Sequence, residues 1–349
     1  MATLILFILI LGIIILIHEL GHFLFAKLFG VYVYEYSIGM GKKILSKKPK
    51  NSETEYNLRL IPIGGFVRLA GEEGEDGDNS VPLEQKLYKK NFIQRFLIFF
   101  MGPGFNFILA FITLFVGALI YGSISTAPII GSVPKDYPAY KAGIEVGDTI
   151  ISIDGEKIKT WDDILWIVQT SKGESLEFKI EDKNGNEKNV TVTPEKVTAE
   201  DGTISYVFGV GKNTKKDKGL VVSFKYACDK TISLFKIMIE TVKSLFSGGV
   251  SVNDLSGPVG IYSIVGEQAE GGLEDLLYLL AYLSINVGVI NLIPFPAFDG
   301  GHILFLIIEK IMRKPVPEKV ESTITGVGFI LLMLLMIYVT GHDIINLFN

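Results

Sequence analysis

Cysteine is nearly absent, with Cys228 the sole example in 349 residues. That excludes an intrachain disulfide and leaves no thiolate cluster for a metal. A basic excess is also missing: 33 Lys and Arg stand against 38 Asp and Glu, for a net charge of −5. With no basic stripe or patch interleaved with aromatics, there is no case for a nucleic-acid partner. No Lys or Arg precedes the first apolar run, and no small-residue cleavage site follows it, so that run is expected to stay as a membrane span and not to be a removed signal. Histidine is scarce too, limited to His18, His22, His302 and His342.

Apolar residues are plentiful. They make up 48% of the chain, with charged residues at 20% and a mean hydropathy of +0.39. This is too apolar for an ordinary soluble enzyme and too charged for a chain lying wholly in lipid. The balance predicts a membrane protein carrying one inserted soluble domain. Four stretches, 4–28, 96–121, 273–293 and 324–348, have the roughly 20 apolar residues that a bilayer core requires. Lys42, Lys43, Lys47, Lys48 and Lys50 follow the first, and Lys86, Lys89, Lys90 and Arg95 precede the second. Lys310, Arg313, Lys314 and Lys319 follow the third. Positive flanks stay on the cytoplasmic side, which places the long 122–272 segment outside.

Between the first two spans the pattern turns to β. Val31-Tyr32-Val33-Tyr34-Glu35-Tyr36 is β-branched and aromatic, and 55–69 alternates in part around Pro62 and Gly64-Gly65. A hairpin or small sheet is expected there, with an acidic, glycine-rich loop at 72–78. Residues 127–212 read as a small α/β module. Strands are expected at 129–133, 148–153, 175–181 and 188–193, a short helix at 139–143 and a helix at 161–170, with turns at Asp154-Gly155 and Asn184-Gly185. From 221 to 246 an amphipathic helical pattern suits a helix at the membrane interface, a helix packed on the membrane domain, or a core helix of the soluble module.

The chemistry concentrates at His18-Glu19-Leu20-Gly21-His22, inside the first apolar run. On a helix, residues four apart share a face, so both imidazoles can reach one metal ion, and Glu19 lies beside that face as a general base for a metal-bound water. Burying two imidazoles and a carboxylate in lipid-compatible sequence without a metal would be costly. A zinc site needs a third protein ligand. The third span ends Asn291-Leu292-Ile293-Pro294-Phe295-Pro296-Ala297-Phe298-Asp299-Gly300-Gly301-His302, where two prolines break the helix and Asp299 follows. At 1.5 Å per residue, His18 is about 21 Å and Asn291 about 27 Å down their respective spans, so both approach the same leaflet. Asp299 is therefore the candidate third ligand, and a helix N-cap is its other reading.

These pieces resemble the site-2 protease family of intramembrane zinc metalloproteases, in the bacterial branch with a PDZ domain between the second and third spans. The resemblance rests on the His18–His22 motif, Gly102-Pro103-Gly104-Phe105-Asn106, Ser256-Gly257-Pro258-Val259-Gly260-Ile261 and the 291–302 run, in family order. Ala142-Gly143-Ile144-Glu145-Val146-Gly147-Asp148-Thr149-Ile150 resembles the PDZ segment after its first short helix. There is room for one PDZ domain and not two, as in shorter, Gram-positive-type members. The fold expected is a polytopic α-helical membrane protein of about four transmembrane helices with a membrane-associated β-hairpin and an inserted α/β PDZ domain. Its parts would be an N-terminal membrane domain (1–126), the PDZ domain (127–213), an amphipathic linker (214–272) and a C-terminal membrane domain (273–349).

The resemblance implies that His18, His22 and Asp299 bind Zn2+, that Glu19 activates water, and that Asn291 steadies the substrate carbonyl. An interhelical hydrogen bond is the other reading of Asn291, and Asn106 is open between binding unwound substrate and packing helices. His302 is not assigned as a ligand, and His342 is a bystander. The implied activity is the second, intramembrane cleavage of single-pass proteins already trimmed by a site-1 protease, such as anti-sigma factors and remnant signal peptides, in regulated intramembrane proteolysis. The implied place is the bacterial cytoplasmic membrane, with the site near the cytoplasmic side and the PDZ domain outside. That domain would bind a peptide or substrate tail along an edge strand at 129–133, or exclude bulky ectodomains. The β segment would hold unwound substrate by strand addition, or cap the site sterically. The rival is a non-catalytic membrane PDZ adaptor, which would hold no stoichiometric zinc. A metal transporter is disfavoured, because one membrane-embedded ligand cluster and no internal repeat are evident.

Overall fold

A computed structural model describes residues 1–50, 52–72, 80–198, 204–248 and 255–347. The acidic loop expected at 72–78 lies outside the described residues except for Glu72. In chain order the elements are α1 (Ala2–Leu28), β1 (Val33–Lys47), β2 (Glu55–Leu69), α2 (Phe92–Tyr121), β3 (Ser123–Ile124), β4 (Ile130–Ser132), α3 (Pro138–Lys141), β5 (Thr149–Ile153), β6 (Glu156–Lys157), α4 (Trp161–Thr170), β7 (Leu176–Glu181), β8 (Glu187–Val192), β9 (Glu195–Thr198), β10 (Ile204–Val207), β11 (Gly211–Lys212), β12 (Lys216–Asp217), α5 (Leu220–Ser247), α6 (Pro258–Glu270), α7 (Leu273–Leu292), α8 (Asp299–Met312) and α9 (Glu318–Leu347). They form two compact units, one of Met1–Thr113 with Ser251–Asn349 and one of Leu114–Val250.

Among the described residues, four helices are long and apolar enough to cross a membrane: Ala2–Leu28, Phe92–Tyr121, Leu273–Leu292 and, within α9, Lys319–Ile345. A helix satisfies its own backbone polar groups, the condition for crossing lipid. The 27 residues of α1 reach about 40 Å, enough to span a hydrocarbon core of roughly 30 Å.

In the first unit, α1 packs on α6 and α7 through Phe7, Ile10, Ile14, Val265, Leu279 and Leu283. The helix α6 has no counterpart in the sequence reading. Its first turn is held from α9, where Asp343 accepts a hydrogen bond from the Gly260 N–H at 2.8 Å. A carboxylate at a helix N-terminus satisfies an orphan donor and meets the positive end of the helix dipole. The strands β1 and β2 pair as one long antiparallel hairpin whose root is buried and whose far half is exposed. Ala26, Val31, Val33, Leu69, Ile98, Phe99 and Leu306 pack together at that root. There β2 lies against α1.

In the second unit, β6-β5-β7-β8 form a four-stranded antiparallel sheet over a core of Ile144, Ile150, Ile153, Ile164, Phe178 and Ile180. Thr160 and Asp163 cap α4 reciprocally. The long helix α5 is tied to α4 by charge: Lys230 reaches Asp162 at 2.7 Å and Lys236 reaches Asp163 at 2.7 Å. Thus the 221–246 pattern belongs to a helix packed on the module. The expected open edge at 129–133 is corrected. Ile130 and Ser132 pair with β11 on one side, and Ile129 bridges Thr149 on the other. The segment 130–132 is therefore an inner strand here and not a free edge.

Candidate active site

The two histidines of α1 sit on one helix face, as their spacing requires. Their rings meet edge to face, with centroids 4.9 Å apart, and Nε2 of one is 3.2 Å from Nε2 of the other. Asp299, the first residue of α8, completes the cluster: Oδ2 is 3.2 Å from His18 Nε2 and Oδ1 is 3.4 Å from His22 Nε2. One ligand atom from each of the three lies within 4.8 Å of the others. The sequence separates Asp299 from the histidines by some 280 positions, and the broken end of α7 brings it back. After Leu292 the chain turns through Pro294 and Pro296, with Phe295 N–H bonded to Ile293 O at 2.7 Å and Phe298 N–H to Phe295 O at 3.0 Å. The turn presses onto the start of α8. A Cβ on Gly300 would stand 2.2 Å from Ile293 O, so the residue after Asp299 has to be glycine.

A second close approach brings α2 to the histidines. A Cβ on Gly21 would stand 2.0 Å from the Met101 carbonyl oxygen, and a Cβ on Gly102 would stand 2.1 Å from His22 Nε2. Gly102 leaves the space that the His22 ring fills, and Gly21 leaves the space that the Met101 backbone fills. From the same helix, the Ile98 carbonyl accepts from His22 Nδ1 at 2.8 Å, and the Asn106 amide is 3.2 Å from His18 Nδ1. Asn106 is fully buried, and its own backbone carbonyl accepts from Ser284 Oγ on α7 at 2.8 Å. Glu19 faces the hairpin root. Its carboxylate takes a backbone hydrogen bond from Val67, and a Cβ on Gly65 would stand 3.2 Å from its Cγ.

The donor set fits a metal. Two imidazole nitrogens and a carboxylate oxygen, with a fourth position open, form the kind of set that holds catalytic zinc. Asp299 Oδ2 is buried and has no hydrogen-bond partner, although His18 Nε2 is close by. Atoms arranged to bond one another would have satisfied it, whereas atoms converging on a common centre need not.

The remaining residues singled out in the sequence lie apart from this cluster. Asn291 is in the last turn of α7, where its Nδ2 donates to Val287 O at 3.0 Å. His302 stacks on Phe99 with centroids 4.9 Å apart and has Nδ1 3.6 Å from Glu321. His342 lies near the end of α9. The sequence reading missed the Ile98 carbonyl, Ser284 and Gly65. A backbone acceptor leaves no sequence signal. Small residues inside a span, as at 102–104, do signal close helix approach, yet they do not say what fills the space.

In the second unit a cavity of about 760 Å³ opens between α4 and the 205–211 backbone, lined by Leu165, Gln169, Tyr206, Phe208 and Val210.

The family model of peptidase family M50 matches residues 6–335. A Clostridium perfringens protein is 40% identical over 95% of both chains. A Geobacillus kaustophilus protein named zinc metalloprotease RasP is 32% identical over 98% of this chain and 97% of its own. A Bacillus subtilis protein named regulator of sigma-W protease RasP is 32% identical over 99% of each. Among solved structures, the PDZ domain of an SdrC-like protein from Listeria innocua aligns with 26% of this chain and 96% of its own, at 21% identity and a TM-score of 0.22.

Proposed function

The chain belongs to peptidase family M50 and is a multi-pass membrane zinc metalloprotease, and from that premise we propose that His18, His22 and Asp299 hold the zinc and that Glu19 is the general base in the cleavage of single-pass membrane proteins. One observation carries the assignment: a ligand atom from each of His18 and His22 on α1 and Asp299 on α8 lies within 4.8 Å of the others.

Zinc, when bound, brings the pKa of its water to about 7 and polarises the scissile carbonyl. The chain's own residues do the rest. Glu19 takes the proton of the attacking water on its carboxylate and delivers it to the leaving amide nitrogen. The Val67 backbone hydrogen bond holds that carboxylate toward the hairpin. A substrate helix hides its peptide bonds in its own hydrogen bonds and has to be extended before attack. The root of β2 runs past Glu19 at Gly65, so a strand added to this hairpin would bring an extended segment to the base. Asn291, already donating through Nδ2 to its own helix, would reach a substrate carbonyl only after a rotamer change.

The lysine-rich flanks of α1, α2 and α8 support a site near the cytoplasmic face and a second unit outside. That unit is read as the PDZ module, and the cavity beside α4 as the seat of a substrate tail. Substrates of the anti-sigma and remnant signal-peptide classes, trimmed first by another protease, suit a site that accepts one extended strand. The test is Glu19→Gln. It removes the base and none of the three ligands. Zinc content should stay at one ion per chain, while cleavage of a single-pass reporter falls by about 10²- to 10⁴-fold. Cleavage at the wild-type rate by that variant would overturn the mechanism.

A further inference from the structure

A histidine that gives Nε2 to a metal has to carry its hydrogen on Nδ1, and a hydrogen-bond acceptor at Nδ1 fixes that tautomer. His22 obtains the acceptor from a backbone carbonyl, Ile98 O at 2.8 Å, which cannot act as a donor. Its Nε2 therefore keeps a lone pair toward Asp299. His18 faces a side chain with both options. The Asn106 amide, fully buried, is 3.2 Å from His18 Nδ1.

The two amide orientations have opposite consequences. With Nδ2 toward the ring, Nδ1 must accept, the ring hydrogen moves to Nε2, and His18 turns an N–H toward His22 and Asp299. Asn106 Oδ1 is then buried with no donor. The Nε2 hydrogen would then point at His22 Nε2, 3.2 Å away, and tie the two rings to each other, while Asp299 Oδ2 stays without a hydrogen bond. A half-turn of the amide puts Oδ1 against an Nδ1–H and leaves the His18 Nε2 lone pair facing the same point as that of His22. Each orientation leaves one amide atom unpaired, so the amide's own hydrogen bonds do not choose between them. The requirement for two converging lone pairs does. The backbone of Asn106 is itself fixed from α7, by Ser284 Oγ at 2.8 Å.

We infer that Asn106 accepts a hydrogen bond from His18 Nδ1–H through Oδ1, and is thereby the positioning residue that presents His18 to the metal. The inference rests on the reading of His18 as a ligand. It gives the two histidines matched supports from one helix, a backbone carbonyl for His22 and a side-chain carbonyl for His18, with Gly102 between them.

The test is zinc affinity of the full-length protein, read by competition with a chelator for wild type, Asn106→Asp and Asn106→Leu. Asparagine, aspartate and leucine have similar shapes, but only the first two offer an acceptor. Loss of an acceptor of this kind costs about 10- to 100-fold in metal affinity. Asn106→Leu should show that loss, and Asn106→Asp should bind within a few-fold of wild type. Thermal unfolding of the zinc-free forms separates this effect from misfolding. Nitrogen chemical shifts of labelled histidine should show the His18 hydrogen on Nδ1 in the zinc-loaded wild type. Equal affinity of the leucine variant and wild type, or an aspartate variant as weak as leucine, would overturn the inference. A separate outcome, undiminished zinc in Asp299→Ala, would instead overturn the ligand reading and the inference with it.

Discussion

Gly102 decides whether His22 can face Asp299. The imidazole occupies the place where any other residue would carry its Cβ, 2.1 Å from Nε2. Gly102→Ala forces either the ring or the helix to move, and overpacking of this kind costs about 1–3 kcal/mol. The expected result is a chain that inserts in the membrane, unfolds several degrees lower than wild type, and loses zinc on dialysis against a weak chelator. Stoichiometric zinc and an unchanged melting temperature would show that the space is not limiting. The sequence displays Gly102 as one of several small residues in a span, and its role depends on which atom of α1 lies opposite.

Single elements are held by side chains that no motif announces. The helix α6 begins where Asp343 receives the Gly260 N–H. Removing such a cap costs about 1 kcal/mol or more, so Asp343→Ala should lower the unfolding temperature with zinc bound while leaving zinc affinity near wild type. The second unit offers a pH test. Asp163 is buried, which opposes its charge, but hydrogen bonds from Lys236 and from the Lys159 and Thr160 backbone outweigh burial and hold its carboxyl below the ordinary value of 3.8. A depressed folded value means that the charged form stabilises the fold. Its contribution is complete above the ordinary value and disappears as pH falls through the lower, folded one. Asp163→Asn should therefore destabilise α4 by about 1–3 kcal/mol at neutral pH, and the gap to wild type should close in strong acid. Trp161 and Trp166, the only tryptophans in the chain, both lie on α4, so fluorescence during urea unfolding reads this helix directly.

At the scale of the whole molecule, the proposed zinc site would join the two ends of the chain. A metal bound by α1 and α8 stabilises the native state by mass action. Chelation should lower the unfolding temperature of wild type and leave that of Asp299→Ala unchanged. The membrane arrangement is checked by labelling. With Cys228 replaced by serine, a cysteine at position 47 should resist a membrane-impermeant maleimide in intact spheroplasts, and a cysteine at position 172 should react. Both native lysines are exposed. The reverse pattern would invert the proposed topology.

The sequence by itself determined the spans, the hairpin, the α/β module and the pairing of His18 with His22. Each of these is a local matter: apolar runs have to form helices in lipid, alternation has to form strands, and a four-residue spacing puts two rings on one helix face. It also marked Asp299, because an ionisable residue after a proline break in apolar sequence needs a reason. Tertiary structure alone decided what stands around those residues. The pairing of Ile130 and Ser132 with 211–212 covered an edge that local pattern had left open. The Ile98 carbonyl beside His22 and the Asn106 amide beside His18 come from a helix some eighty residues away. Hydrogen-bond partners and close approaches depend on which helix faces meet, and that is set by packing over the whole unit. In this protein the residues of the His18–His22–Asp299 cluster are marked by local sequence, and the α2 groups beside the two histidines come into place only once α2 has docked against α1.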